Sequence, residues 1–224
     1  MSDSDHVSVS ALRGPAELPM FPLGSVLFPS MILPLRLFEP RYLDMIEQVM
    51  AGDGRFGVTL IERGSEVGGG DARSTVGCAA QILQAEAQDD GQWFVVAVGT
   101  VRLKVDEWLP DAPWPRAVVM PWSDVADDEP DATGAELAAR IASLTPLFRR
   151  VLALAAEADE WSVPLTIELS EDPVMAGYQM SAVSPFGSFD RQRLLAASHP
   201  LERCEVLLEL LGEAETDFRA RLAS

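Results

Sequence analysis

Lysine is nearly absent: Lys104 is the only one in 224 residues. Arginine does not make up the deficit, since 17 basic residues face 35 acidic ones and the net charge is −18. The shortfall is shared: the part up to Met120 has 16 acidic and 9 basic residues, and the rest has 19 and 8. Nucleic acids and anionic membrane surfaces are held through lysine and arginine, so neither is an expected partner. The phosphate loop of ATPases needs a lysine in G-x-x-x-x-G-K-[ST]. Lys104 stands between Leu103 and Val105, so there is no such loop. A Ser-Lys hydrolase needs a buried lysine beside its serine. Lys104 falls on the polar side of an alternating strand, which suits a salt-bridged or solvated role.

Histidine and cysteine are equally scarce. The chain has His6, His199, Cys78 and Cys204. None has zinc-ligand spacing, and no G-x-S-x-G elbow is present. No metal, cofactor or catalytic group is therefore expected. The two cysteines lie far apart in different elements, which predicts buried free thiols in a cytoplasmic protein. The start, MSDSDHVSVS, lacks a basic and apolar leader. No run approaches the ~18 apolar residues of a membrane span.

Proline, by contrast, is concentrated. The stretch LPMFPLGSVLFPSMILPLRLFEPRY, Leu18 to Tyr42, holds Pro19, Pro22, Pro29, Pro34 and Pro40. Proline fixes φ and donates no hydrogen bond, so no helix crosses this stretch. Its short apolar groups predict brief strands, with a turn at Gly24-Ser25. At Glu39-Pro40 the pattern becomes helical. Glu39 is placed to cap and Pro40 suits the first helical position. Tyr42, Met45, Ile46, Val49 and Met50 share a face. Phe38 is placed to staple onto Leu43, and Gly52 and Gly54 end the helix. Glu39 and Arg41 read as structural, with Arg41 holding neighbouring carbonyls or carboxylates.

Further strands are predicted at Phe56–Ile61, Ser74–Leu83, Trp93–Val98, Val101–Val105 and Arg116–Trp122. The glycines at 68–70 precede a strand rather than a helix, so they mark a hairpin loop and not a phosphate cradle. In Val101–Asp106 the alternation buries Val101, Leu103 and Val105 and leaves Arg102, Lys104 and Asp106 wet. The run DVADDEPD, Asp124–Asp131, reads as solvated linker and lacks calcium-loop spacing. From Thr133, a candidate cap, the pattern is helical. Pro146 bends or restarts the run, and Pro164 and Pro173 open further helices. Phe189–Ala197 is a short helix. The last begins near His199-Pro200 and carries a stripe of Leu201, Cys204, Leu208, Leu211, Phe218 and Leu222. The expected organisation is a tail at 1–16, a β-barrel at 17–123, an acidic linker at 124–132 and a helical domain at 133–224. The class is α+β, since strands and helices segregate.

The opening LPMFPLGSVLFP…LPLRLFEPRYLDM resembles the start of the Lon substrate-binding domain, the amino-terminal domain of ATP-dependent Lon proteases. GVTLIERG, TVGCAAQI and FVVAVGTVRLKV stand where that family has its next strands. DPVMAGYQM and RQRLLAASHPLERCEVLLELL resemble its helical part. The resemblance spans Glu17 to Leu222. It implies a PUA-like pseudo-barrel followed by a helical bundle, and a non-enzymatic module that binds unfolded or apolar polypeptide. It also implies a protease or ATPase as a further partner. Val26, Leu27, Phe28, Met31 and Ile32 flank Pro29 and are the candidate peptide-binding residues. Either they form an exposed contact surface or they fill the barrel core. The other reading of the chain is a scaffold whose acidic helical half docks one specific protein.

Overall fold

The computed structural model describes residues 12–64, 71–124, 132–158 and 167–223. They fall into two compact units, divided between Trp122 and Ser123. The tail at 1–11, the glycine loop at 65–70, most of the acidic run, Pro164 and the Thr133 side chain lie outside the described residues. Within the tail as expected, Leu12 is buried and Ala16 already begins a strand.

The first unit is a mixed sheet of β1 (Ala16–Leu23), β2 (Ile32–Leu37), β3 (Arg55–Arg63), β4 (Ala72–Ala87), β5 (Trp93–Leu109) and β6 (Arg116–Pro121), with one helix, α1 (Pro40–Ala51). The strand order is β2-β5-β4-β3-β1-β6, and β6 pairs back onto β5. Five strands thus close into a ring and β2 is added outside it. The length of β5 makes this work: its first part pairs with β2 (Trp93–Val98) and its second with β6 (Leu103–Leu109). Gly99 lies between these segments within one continuous strand, not at a break between two. Among the described residues the one parallel pair is β1 with β3, and the chain passes through β2 and α1 between them.

Helix α1 buries Tyr42, Met45, Ile46 and Val49 against Phe21, Leu35, Leu37, Phe56, Ile82, Val95 and Ala97. A smaller cluster gathers Leu18, Met20, Ala79, Leu103, Ala117 and Val119. Arg102 departs from the expected alternation. It is buried, with its guanidinium carbon 4.1 Å from the centroid of the Trp122 ring. Lys104 is exposed, and its ammonium lies 3.7 Å from the same centroid. Two cations thus lie against one aromatic ring, an attraction that the ring quadrupole supplies.

The second unit contains α2 (Ala132–Glu157), α3 (Pro173–Val183), α4 (Ser188–Ala196) and α5 (Pro200–Leu222). One helix runs through Pro146, so no restart occurs there. Asp172 caps α3, accepting from Val174 N at 2.8 Å, with Pro173 in the first turn. His199 Nδ1 caps α5, accepting from Glu202 N at 3.1 Å, while the Glu202 carboxylate accepts from Ser198 N at 2.7 Å. This reciprocal pairing satisfies backbone donors at the helix start. The stripe on α5 is rotated from the expected one. Leu207 and Leu210 are buried, whereas Leu208 is 52% exposed. Arg203 is fully buried on the same helix. Its Nη2 donates to Asp124 Oδ1 at 2.8 Å, its Nε donates to the Leu194 carbonyl at 3.0 Å, and the Tyr178 ring covers it at 4.1 Å. The Tyr178 hydroxyl donates to the other Asp124 oxygen. Asp124, expected in a solvated linker, is instead nearly buried as the counter-ion of this arginine.

Both cysteines are free and buried. Burial pushes the Cys78 thiol up to about 12, against the lesser pull of Arg102, and raises that of Cys204 as well. Thiolate is the reactive form. A thiol reagent such as DTNB is therefore expected to label neither cysteine in the folded chain and both after denaturation; rapid labelling of the native protein would contradict this.

Candidate functional site

The proline-bracketed loop between β1 and β2 separates the candidate residues. Leu27 is 5% and Phe28 1% exposed, Val26 and Met31 are half-buried, and Ile32 is 57% exposed. Leu27 belongs to the core beneath α1, and Met31 packs against it. The loop is stitched down by a turn. Met31 N donates to the Phe28 carbonyl at 3.2 Å, with Pro29 and Ser30 between them and Ser30 at φ 63°. This is the pattern of a type II turn. Ser30 N then donates to the Gly99 carbonyl at 2.8 Å, and Gly99 N donates to the Met31 carbonyl at 2.9 Å. A pinned loop with Leu27 and Phe28 turned inward offers no surface from those two residues. Of the five candidates, Ile32 alone stands well out.

Gly99 is what lets the loop sit so close. A Cβ there would run into the Phe28 carbonyl, which is backbone and cannot swing away. Gly99→Ala is expected to destabilise the chain by about 1–3 kcal/mol through overpacking. A melt unchanged from wild type would show that the loop is not anchored on β5.

The Glu39–Tyr42 motif lies at the start of α1. Pro40 occupies the first turn, but the Glu39 side chain makes no capping bond. Arg41 holds it instead: its Nε donates to Glu39 Oε2 at 3.1 Å, and its guanidinium carbon lies 4.5 Å from the Tyr42 ring centroid. Burial pushes the Tyr42 hydroxyl up to about 12, although Arg41 pulls the other way. Phe38 stays 59% exposed, so any staple onto Leu43 leaves most of its ring in water. It stands at a cleft of about 220 Å³ lined by Phe21, Leu23, Pro34, Leu37 and Tyr42.

Ile32 belongs to a wider surface. In an antiparallel ladder, residues directly opposite one another point to the same face. Ile32 lies opposite Val98, Pro34 opposite Val96, and Arg36 opposite Phe94. On the other side of β5, Val96 faces Gln84 and Phe94 faces Glu86 of β4. Leu83 stands at the irregularity between Ile82 and Gln84 and is 37% exposed. Leu35, Leu37, Val95 and Ala97 take the alternate positions and are buried. The remaining face is outward: Ile32, Pro34, Leu83 and Phe94 are exposed, and Val96 and Val98 half-exposed. Sequence reasoning placed only Ile32 here. The signal for the rest was the run WFVVAV, apolar at every position instead of at alternate ones. Such a strand has apolar side chains on both faces. In an antiparallel sheet with one face on the core, the second set stands on the outer face.

Pro34 also shapes the edge. β2 pairs on one side only, with β5. A proline on an edge strand removes a donor and blunts strand addition. Among the described residues, no group of three His, Cys, Asp or Glu side chains is placed to hold a metal, and no helix is long and apolar enough to cross a membrane.

Comparison with known proteins gives a consistent result. The family model described as the ATP-dependent protease La (LON) substrate-binding domain matches residues 17–213. The Lon protease of Cytophaga hutchinsonii is 26% identical over 201 residues, 89% of this chain and 24% of that protein. Lon protease 2 of Myxococcus xanthus is 27% identical over 200 residues, 88% of this chain and 24% of its own length. The chain therefore spans about a quarter of these relatives. Among solved structures, a Lon N-terminal domain protein from Xanthomonas campestris superposes with a TM-score of 0.59 at 27% identity, covering 87% of this chain and 98% of that one. The N-terminal domain of a Mycobacterium avium complex Lon protease matches with a TM-score of 0.57 at 17% identity, covering 88% and 98%, and shares the fold. A barrel of this topology with helices following it, matched over nearly its whole length by one family, places the chain: it belongs to the LON substrate-binding domain family.

Proposed function

We propose that this chain is a non-catalytic module that recognises unfolded polypeptide, and that the outer face of β2, β5 and β4 is where an apolar segment lies. One observation carries the reading. Ile32 and Phe94 are 57% and 41% exposed on a single sheet face, with Val98 opposite Ile32 and Val96 next along β5 toward Phe94. Exposed apolar area of this kind marks an interaction surface. Family membership supplies the class of partner, since the domain is described as substrate-binding. A flat, apolar, pleated surface selects little by shape. It suits extended segments of varied sequence whose apolar side chains are accessible only when the partner is unfolded.

The cleft beneath Phe38 adjoins this face through β2, whose Pro34 lines the cleft and also stands on the outer surface. A segment crossing the sheet can place one larger side chain there. A protease or ATPase acting on the delivered polypeptide is part of the same proposal. The single lysine, absent phosphate loop and buried thiols support a role in holding polypeptide and not in cutting it.

The test is fluorescence anisotropy with a labelled, permanently unfolded protein, such as a reduced and carboxymethylated one, beside the same protein folded. Weak saturable binding to the unfolded form alone is expected. Ile32→Ser/Phe94→Ser should weaken it about tenfold or more, equivalent to about 1.4 kcal/mol. Equal binding by wild type and the double variant would remove the site. A single tight partner with no affinity for unfolded protein would favour the scaffold reading.

A further inference from the structure

The apolar face is not evenly rimmed. At its Phe94 end, Glu86 of β4 lies directly opposite Phe94 on the same face. The β4–β5 turn beyond it holds Asp89 and Asp90, both exposed. Among the described residues of this end the cation is Arg36, and it is already engaged: its Nη2 is 3.8 Å from Asp90 Oδ2 and its Nε donates to Gln92 Oε1 at 2.7 Å. Among the described residues, Glu86 accepts from a neutral donor, the Gln84 amide, at 2.7 Å. Elsewhere in this unit Arg41, Arg55, Arg73 and Arg116 are each paired with a carboxylate. Up to Trp122 the unit has 16 acidic against 9 basic residues. The apolar face thus ends in a net-negative rim on a net-negative body.

We propose that the segment this face takes is an apolar stretch flanked by lysine or arginine, and that it rejects the same stretch flanked by aspartate or glutamate. This rests on the function proposed above and adds a charge rule to it. The apolar contacts supply short-range affinity without regard to sequence. Glu86, Asp89 and Asp90 attract a cation standing beside the buried residues and repel an anion there, which acts on partner choice and encounter rate more than on contact area. The carboxylates are solvent-exposed, so salt must weaken the discrimination: the screening length is about 10 Å at 0.1 M and about 3 Å at 1 M. The apolar contribution survives that salt.

The experiment uses the full chain and three fluorescent peptides with one shared apolar core. Their flanks are lysine, glutamine or glutamate, and binding is measured at low and at 1 M salt. The lysine-flanked peptide is expected to bind about tenfold tighter than the glutamate-flanked one at low salt, a gap of about 1.4 kcal/mol. The gap should close at 1 M salt and in Glu86→Gln/Asp89→Asn/Asp90→Asn, whose melting temperature serves as the folding control. If all three peptides bind alike and Ile32→Ser/Phe94→Ser weakens all of them, the charge rule is overturned and the apolar site stands. A preference that persists in the triple variant also overturns it, because the discrimination then arises elsewhere. If none of the peptides binds, both proposals fall.

Discussion

Asp124→Ala is expected to destabilise the helical unit by about 3–5 kcal/mol, because it strands a buried positive charge. The Arg203 side chain is 1% exposed and that of Asp124 is 9% exposed. Once the carboxylate is gone, the guanidinium keeps the Leu194 carbonyl and the face of Tyr178. Neither carries a full negative charge, and the Tyr178 hydroxyl loses its acceptor at the same time. The second half of the prediction separates this cause from a loss of packing. Adding Arg203→Met to Asp124→Ala removes the stranded charge and leaves an apolar side chain of similar reach. Replacing a buried pair in this way is often neutral, so the double variant should recover most of the stability. Urea denaturation reads both. A small effect of Asp124→Ala, or a double variant worse than the single, would mean that the cluster does not hold the helical unit as described.

The second large effect concerns the loop that joins β1 to β2. Phe28→Ser is expected to cost about 3–5 kcal/mol, as truncation of a buried aromatic does. In a chain of this size each kcal/mol lowers the melting temperature by about 2–4 °C, so a fall of roughly ten degrees is expected. Ile32→Ser, four residues on, should stay within about 0.5 kcal/mol, because Ile32 is 57% exposed. The contrast matters because both residues are apolar and lie in one proline-rich run. If the two melts shifted alike, the division of this loop into an inner and an outer part would be wrong.

Much of the first unit was legible in the sequence because its signals are local. Proline at positions 19, 22, 29 and 34 forbids helix, and Glu39-Pro40 announces one. Alternating or β-branched runs foretell β3, β4 and β6. What escaped was what depends on partners distant in sequence. Gly99 reads as a break, yet β5 continues through it because the Phe28 loop packs there and needs the missing side chain. Arg102 reads as solvent-facing by alternation and is covered by Trp122, twenty residues later. Arg203 is charged yet takes a buried position on α5, where Leu207 is buried and Leu208, on the expected stripe, is exposed. Its counter-ion, Asp124, sits at the edge of an acidic run where nothing local sets it apart. For the candidate site, nothing local to Pro29 separates Leu27 and Phe28, which are buried, from Ile32, which is exposed. The outer face needed the β2–β5 register before Ile32 and Phe94 could be seen together.

Locating the bound polypeptide is the most direct test of the proposed site. A photoactivatable residue is placed at Phe94, and in separate proteins at Lys104 and at Leu208, which are exposed elsewhere on the two units. Each is irradiated with a permanently unfolded protein, and cross-linked product is quantified by mass spectrometry. Strong cross-linking from position 94, reduced by Ile32→Ser, with little from 104 or 208, is the result expected if the sheet face is the binding surface. Cross-linking from 208 or 104 with none from 94 would contradict it.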